Sequence, residues 1–412
     1  MWRPRFHFAL PVWGEAYVDL FLRATLPCLL ARGNLGDFRW ASGSVFKIYT
    51  RAVDAERLGE QRAFRRLQSL IETRIVPIDD LMAVRQANFA RFTDCQRMAV
   101  ETSDAADAAL FFLGPDFLLN DGMISTVAER IVAGRAAVMI EGNRVIKGDV
   151  LPIVEAKTRR GHGALALELT GRELVGMALG RLHPQSRAWF WDAPNFDRLP
   201  PYLHFRAGDA GFVSAGYVLH PMAVRSRVKN VPILNIWDQD WLAAACPDPG
   251  EIDVATDSDA MTIFGLDEAE RFADYLVPNA ASVDAVAYFA EWTFSALHRD
   301  FGRRLARFKA KDGDPAIWAE AEILARATVE QIAERLAQDD DTVMAQDPKR
   351  MLVRLRARYR YADRSLFNPP YAADTGEIGN ALAEDLPRLL EVASPADRER
   401  LIVLARARGL AV

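Results

Sequence analysis

The chain has 412 residues, of which 50% are hydrophobic and 26% are charged, and its formal net charge is -5 at pH 7. A chain of this length and composition can bury a large core, and it predicts two domains or one large domain with an appendage. The negative net charge argues against a chain that binds polyanions over its whole surface. We therefore expect no nucleic-acid partner unless a local basic patch provides the contact.

Three cysteines, Cys28, Cys95 and Cys246, lie far apart and show no CxxC spacing. Such a set indicates reduced, mostly buried thiols rather than a disulfide framework or a zinc site. Charged residues interrupt the apolar run at the start of the chain, whereas a signal peptide or a membrane span needs an uninterrupted one. We therefore expect the protein in the cytosol.

Short apolar runs alternate with amphipathic helical stretches over the first 140 residues. The pattern predicts five strands, at Phe6–Val12, Ser44–Thr50, Arg74–Ile78, Ala108–Leu113 and Ala136–Ile140. The stretches between them predict helices, at 16–31, 55–71, 81–101 and 124–133. Strands and helices that alternate at this spacing indicate βαβ units with right-handed crossovers, and hence an α/β fold with a mostly parallel sheet.

The sequence pattern changes after Thr170. An aromatic, proline-rich stretch there predicts short strands at Tyr202–Arg206 and Ala215–Leu219. Beyond Asp284, apolar residues recur at three- and four-residue steps from Ala290 to Phe308, which predicts one apolar helix face. We therefore expect an α/β domain over residues 1–280 and a helical C-terminal region over residues 281–412.

The first candidate site follows the fourth predicted strand, in the segment FFLGPDFLLNDG. Ligands of open α/β sheets bind at the carboxyl ends of the strands, and Asp116 lies just past such an end. Its carboxylate could hold Mg²⁺ or Mn²⁺ beside a substrate diphosphate, with Asp121 in the same site. Alternatively, both aspartates are turn and cap residues.

The order of these segments resembles the nucleotide-diphosphosugar glycosyltransferases of the GT-A fold over about residues 5–265. It is most similar to bacterial members in which an FLxPD turn replaces Asp-x-Asp; Gly114 stands at the first aspartate position, so only Asp116 matches. The resemblance implies a Rossmann-like GT-A sheet as the nucleotide-sugar-binding and catalytic domain, and leaves open how a metal is coordinated. It also implies nucleotide contacts from the loop after the first strand and from the end of the second, which include Pro11, Trp13, Tyr17, Thr50 and Arg51.

Two histidines precede prolines, and both are candidates for the diphosphate or metal site. His220 ends an apolar run, so its ring should emerge at a cleft, where a neutral imidazole could complete a metal site with Asp116. A hydrogen-bonded structural histidine is the alternative. His183 lies beside Arg187, whose planar guanidinium suits a phosphate.

Carboxylates after His220 are candidates for the base that removes the acceptor proton in an inverting sugar transfer. Asp238 and Asp240 suit an acceptor pocket, because the flanking indole rings, Trp237 and Trp241, could stack on sugar C–H surfaces. Of the two, Asp240 is preferred. Asp257 and Asp259 could bind substrate hydroxyls or a metal, or belong to a capped turn.

Residues 349–364 (KRMLVRLRARYRYADR) alternate arginines with apolar and aromatic residues. Such a helix could lie on an anionic membrane surface, contact nucleic-acid phosphates, or pair with the acidic tail as a solvated helix. Membrane contact would suit a lipid-linked acceptor and a peripheral location at the inner membrane face.

The sequence therefore predicts a glycosyltransferase with a nucleotide-sugar donor, a glycan or lipid-linked acceptor, and a divalent cation (Mn²⁺ or Mg²⁺). The alternatives are a non-catalytic scaffold with the same fold and a sugar-phosphate nucleotidyltransferase, although PVWGEAYVDL lacks the latter's glycine-rich loop. The sequence contains no GxxxxGK[ST], GxGxxG after the first strand, GxSxG or HExxH, which argues against P-loop ATPases, dinucleotide dehydrogenases, α/β-hydrolases and zinc proteases.

Overall fold

The structure is a computed structural model that describes residues 2–84, 88–160, 165–233, 241–271, 276–342, 386–391, 393, 395–407 and 410. Its contacts divide the chain into two compact units. The first unit comprises residues 1–281 and 296–329, and the second comprises residues 282–295 and 330–412. The domain boundary at residue 280 stays a prediction.

The first unit is built on a seven-stranded sheet. Its strands are β1 (Phe6–Pro11), β2 (Val45–Thr50), β3 (Glu72–Pro77), β4 (Ala109–Phe112), β6 (Ala137–Ile140), β10 (His220–Val224) and β11 (Ile252–Val254). Their order is β11-β6-β10-β4-β1-β2-β3, and only β10 runs antiparallel to its neighbours. The predicted α/β fold with a mostly parallel sheet is confirmed.

Phenylalanine rings on adjacent strands form the centre of the core. Phe8 of β1 stacks on Phe111 of β4, with ring centroids 4.6 Å apart, and on Phe46 of β2, 5.8 Å away. All six residues of β1 are buried, which explains why that strand reads as a continuous apolar run rather than an alternating one. In contrast, β3 lies at the sheet edge and is largely exposed.

The chain changes direction across the sheet between β1 and β4. From β1 it proceeds to β2 and β3 on one side, and then crosses to β4 on the other side. This reversal is a topological switch point, where loops from adjacent strand ends diverge and leave a crevice. The loops that follow Pro11 and Phe112 border that crevice.

Two three-stranded sheets complete the first unit. One contains β5 (Phe117–Leu119), β12 (Ile263–Asp267) and β7 (Gly142–Ile146); the other contains β13 (Ala306–Lys309), β9 (Gly211–Gly216) and β8 (Tyr202–Arg206). A buried hydrogen bond joins the side chain of Glu141, which follows β6, to His204 Nε2 of β8 at 2.9 Å.

Most helices of the first unit come between strands of the large sheet in the order of the chain. They are α1 (Glu15–Leu20), α2 (Leu26–Leu29), α3 (Ala52–Gly59), α4 (Arg62–Leu70), α5 (Asp79–Ala83), α6 (Asn88–Ala105), α7 (Met123–Val132), α8 (Lys147–Arg160), α9 (Gly171–Leu179), α10 (Pro184–Arg187) and α11 (Leu242–Ala245). The predicted single helix over 55–71 is in fact α3 and α4, because the chain at Gln61 is extended.

The predicted apolar helix from Ala290 to Phe308 is wrong. The chain forms α12 (Val283–Thr293), α13 (Ala296–Gly302) and then β13. Phe308 stacks on Phe212 of β9, with ring centroids 4.7 Å apart, because β13 pairs with β9. The last helices are α14 (Pro315–Thr342) and α15 (Pro395–Ala407).

No helix within the described ranges is long and apolar enough to cross a membrane.

Two glycines of α9 provide a matched test of the packing. An alanine Cβ at Gly171 would lie 1.9 Å from the carbonyl oxygen of Ser258, whereas one at Gly176 would lie 3.8 Å or more from any neighbour. Gly171→Ala should therefore lower the free energy of unfolding by more than ~2 kcal/mol through overpacking. Gly176→Ala should raise it by up to ~1 kcal/mol through helix propensity. Urea unfolding measures both, and equal effects would contradict the packing of α9 on Ser258.

Candidate functional site

The loop after β1 is tied to the helix that follows β2. The amide of Gly14, which has a φ of 82°, donates to Asp54 Oδ2 at 3.0 Å. Arg51 donates to both oxygens of the same carboxylate, at 2.6 and 3.0 Å. Burial alone would raise the pKa of Asp54, but the bonds from Arg51 and Gly14 outweigh it and lower the pKa. One side of the crevice is thereby fixed.

The residues predicted to contact the nucleotide differ in exposure. Trp13 is half-buried and Tyr17 is 45% exposed. Pro11 and Thr50 are buried, and the Thr50 hydroxyl has no hydrogen-bond partner within the described part of the chain. Thr50 therefore shapes the strand end rather than presenting its side chain to solvent.

Asp116 follows β4 through a turn in which Gly114 packs closely against two side chains. A Cβ at Gly114 would lie 2.7 Å from the Phe117 ring and 2.8 Å from Asp116 Oδ1. Any side chain at position 114 would therefore displace both neighbours. An aspartate at position 114, as in Asp-x-Asp, would therefore clash with Phe117 and Asp116 in this turn.

Asp116 lies where β4 meets the β5-β12-β7 sheet. Its carbonyl accepts from the amide of Leu266 at 2.9 Å. The pKa of its carboxyl is raised, first by burial and then by Asp267, although Arg144 and Arg271 oppose the shift. The charged carboxylate is therefore disfavoured, although two guanidinium groups are near it.

Those guanidinium groups form a polar cluster that the sequence did not reveal, and which we call the arginine cluster: Arg144, Asp267, Arg271 and Tyr17. Arg144 of β7 pairs with Asp267, the last residue of β12. Arg271 pairs with the other Asp267 oxygen at 3.3 Å and hydrogen-bonds Tyr17 of α1. Three segments far apart in the chain, those of Tyr17, Arg144 and the stretch from Asp267 to Arg271, thus meet beside Asp116, which only the tertiary pairing of β7 with β12 could show.

His220 begins β10 rather than ending an apolar strand, since β9 ends at Gly216 and joins a different sheet. Because β10 is antiparallel, its first residue lies level with Ile140 at the carboxyl ends of β4 and β6. The ring Nε2 lies 2.9 Å from the Phe112 carbonyl, and Phe117 packs edge-on against the ring with centroids 5.0 Å apart. Burial lowers the pKa of His220 to about 4, so the imidazole is neutral.

His183 holds two backbone segments together. Its Nδ1 accepts from the amide of Gln185 at 3.1 Å, capping α10, and its Nε2 donates to the Glu268 carbonyl at 2.8 Å. Both ring nitrogens therefore serve the fold, and burial lowers the pKa of the ring. His183 positions the segment that carries Asp267, while Arg187 is exposed at the end of α10.

Asp238, Asp240 and Trp237 lie outside the described residues, as does the basic run 349–364. Trp241 is 1% exposed; its Nε1 donates to the Val231 carbonyl at 3.1 Å, and its ring packs edge-on against Phe112 at 5.9 Å. Trp241 is therefore a core residue beside the end of β4 and offers no ring face to a sugar.

Three further candidate carboxylates have structural partners. Asp121 accepts from the amide of Gly33 at 2.7 Å. Asp257 and Asp259 both bind Lys309 of β13, at 2.8 and 2.7 Å. These contacts are those of turn and ion-pair residues.

The surroundings of Asp116 do not fit a divalent cation held by the protein. Within the described ranges, no three His, Cys, Asp or Glu side chains are grouped as metal ligands. A cation held by one carboxylate and substrate phosphates needs a negative site, whereas Arg144 and Arg271 place positive charge near Asp116. The Nε2 of His220 is engaged with Phe112.

No protein-family model matches this chain, and no curated protein matches it. Among solved structures it is similar to the crystal structure of S. aureus TarS, with 10% identity and a TM-score of 0.31 over 98% of this chain and 54% of TarS. It is also similar to the mannosyltransferase PcManGT from Pyrobaculum calidifontis in complex with GDP-Man and Mn²⁺, with 12% identity and a TM-score of 0.31 over 99% of this chain and 87% of that one. The chain spans about half the length of TarS. Neither similarity carries an argument about activity.

The lowered pKa of His220 predicts an acid-sensitive fold. In the unfolded chain its pKa is 6.5 and in the folded protein about 4, so between these values only the unfolded chain binds the proton. Stability is therefore complete above pH 6.5 and is lost as the pH falls towards 4. His220→Gln should reduce the slope of unfolding free energy against pH in this window by ~1.4 kcal/mol per pH unit, the value for one proton.

Urea unfolding of both proteins between pH 4.5 and 7.5 measures this slope. The burial of His7 also lowers its pKa to about 4, so His7→Gln is the matched comparison and should change the slope by the same amount. An unchanged slope in His220→Gln would show that the pKa of the imidazole is the same in the folded and unfolded chains.

Proposed function

We propose that this protein is a glycosyltransferase that uses a nucleotide-activated sugar. The main support is the switch point between β1 and β4, where the loop after Pro11 and the turn at Asp116 border one crevice. Open α/β sheets bind their ligands at such a place. The arginine cluster beside Asp116 provides the positive charge that a nucleoside diphosphate requires.

In this proposal the nucleotide base lies along the loop from Pro11 to Tyr17. The half-buried Trp13 ring offers an apolar surface to the base, and the Asp54 carboxylate holds the loop in place through Gly14. The diphosphate extends from there towards Asp116, with Arg187 at the outer rim. His183 acts as a positioning residue through its bond to the Glu268 carbonyl.

The acceptor enters from the side of Trp241 in this proposal. Asp240 precedes Trp241 in the chain, and Trp241 packs against Phe112 at the end of β4. In a transfer with inversion, Asp240 removes the acceptor hydroxyl proton while the new bond to the anomeric carbon forms and the bond to the diphosphate breaks. Asp238 is the alternative base, and Trp237 the stacking ring.

The acceptor is a glycan or a lipid-linked molecule in this proposal. A lipid-linked acceptor would bring the protein to the inner face of the membrane, with residues 349–364 on the anionic surface. The location is otherwise the cytoplasm. A divalent cation, such as the Mn²⁺ bound to PcManGT, is tested together with the donor.

A thermal-shift screen of the purified protein against UDP-, GDP-, CMP- and dTDP-sugars, with and without Mn²⁺, tests the donor. One nucleotide class at 100 times its dissociation constant should stabilise the protein by ~2.7 kcal/mol, because it binds only the folded chain. If none of these nucleotide sugars stabilises the protein, with or without Mn²⁺, the proposal of a nucleotide-sugar donor is rejected and a non-catalytic scaffold is favoured.

Asp240→Asn should lower the turnover of the donor found in that screen by ~10²- to 10⁴-fold and leave donor affinity unchanged, because a general base acts only on the acceptor proton. Release of the nucleoside diphosphate measures turnover, and calorimetry measures affinity. The control is Asp209→Asn, which removes an exposed carboxylate that is paired with Lys311 and has no role in the proposed site. Equal turnover in the two variants would exclude Asp240 as the base.

A further inference from the structure

The arginine cluster links the two sides of the proposed donor site. Arg271 reaches Tyr17, which follows the switch-point loop, and Arg144 flanks Asp116. Both side chains remain accessible, with 35% of Arg144 and 50% of Arg271 exposed, whereas the Asp267 carboxylate between them is 7% exposed. The buried Asp267 carboxylate thus holds two partly exposed guanidinium groups in place.

The charges of this cluster suit an anion. Two guanidinium groups share one Asp267 carboxylate, and Asp116 lies near them. The arginine cluster itself therefore carries more positive than negative charge. A divalent cation would be repelled by this arrangement, while a diphosphate would find planar donor forks that match its oxygens in pairs.

We infer that Arg144 and Arg271 bind the donor diphosphate and stabilise it as the leaving group, in the role that a divalent cation would otherwise fill. The inference rests on the proposed function. When the bond between the anomeric carbon and the phosphate oxygen breaks, its electron pair goes to that oxygen. The two guanidinium groups stabilise the new negative charge, the anomeric carbon bonds to the acceptor oxygen, and the acceptor proton goes to the general base of the proposed transfer.

Glycine at position 114 agrees with this role. A second carboxylate there would need to displace Phe117 and Asp116, and it would add negative charge beside the diphosphate. The turn itself contributes one acid, Asp116, and the nearby Asp267 carboxylate is paired with both arginines. The turn therefore departs from an Asp-x-Asp metal site in both shape and charge.

The test is calorimetric titration of the full-length protein with UDP, GDP, CDP and dTDP, in EDTA and again in Mn²⁺. The nucleoside diphosphate that binds most tightly should bind in EDTA with an affinity within about threefold of that in Mn²⁺. Arg144→Gln and Arg271→Gln should each weaken its binding in EDTA by roughly tenfold or more, the loss expected for a hydrogen bond to a charged group. The corresponding nucleoside should bind all three proteins with similar affinity.

The matched control is Arg206→Gln, which removes an arginine from an exposed ion pair with Asp192 and should leave binding unchanged. Arg144→Gln could unfold the protein by leaving part of Asp267 without a partner, so Arg271→Gln, at a half-exposed residue, provides the second measurement. The double variant Arg144→Gln with Asp267→Asn removes both charges of the pair. It should bind as weakly as Arg144→Gln.

Two outcomes overturn the inference and are distinguishable. Binding that requires Mn²⁺ and is unchanged in both arginine variants would show a metal-held diphosphate, and the proposed function would stand. Absence of binding by any nucleoside diphosphate to the wild-type protein, under both conditions, would overturn the proposed function together with the inference.

Discussion

The parallel pairing of β1 with β4 is the contact on which the rest of the first unit depends. It places Phe8 against Phe111 at 4.6 Å and sets the carboxyl ends of the two strands side by side. In the sequence, β2 and β3 come before β4 and lie on the opposite side of β1, so the loops at the ends of β1 and β4 diverge. The crevice follows from this geometry, and β10 then brings His220 to the same edge.

The site beside that crevice combines buried carboxyl groups with cationic partners. Burying a charge is costly unless it is paired, which explains why Asp267 binds two arginines and why Asp54 binds Arg51 and an amide. Asp116 is different, because burial raises its pKa despite the nearby arginines. Perturbed groups of this kind gather at functional sites, where the fold accepts the cost of placing them.

Sequence periodicity predicted five of the seven strands of the large sheet, because buried parallel strands are short apolar runs bounded by turns. The same reasoning failed from Ala290 to Phe308. The spacing there fits a helix, but Phe308 belongs to a strand whose partner, β9, lies about ninety residues earlier in the chain. The position of His220 was also misread locally, since the strand it begins pairs with β4 and β6 rather than extending the preceding run.

The sequence by itself determined the α/β class, the strand ends that border the crevice and the candidate Asp116, because these depend on local hydrophobic patterns and turn residues. Only the tertiary structure decided which polar groups meet there. The arginine cluster draws its residues from three separate segments of the chain. Trp241 packs against Phe112 and His183 binds the Glu268 carbonyl, and both partners are distant in the chain. The physical reason is that charge pairing and burial depend on non-local strand pairing, which no local pattern encodes.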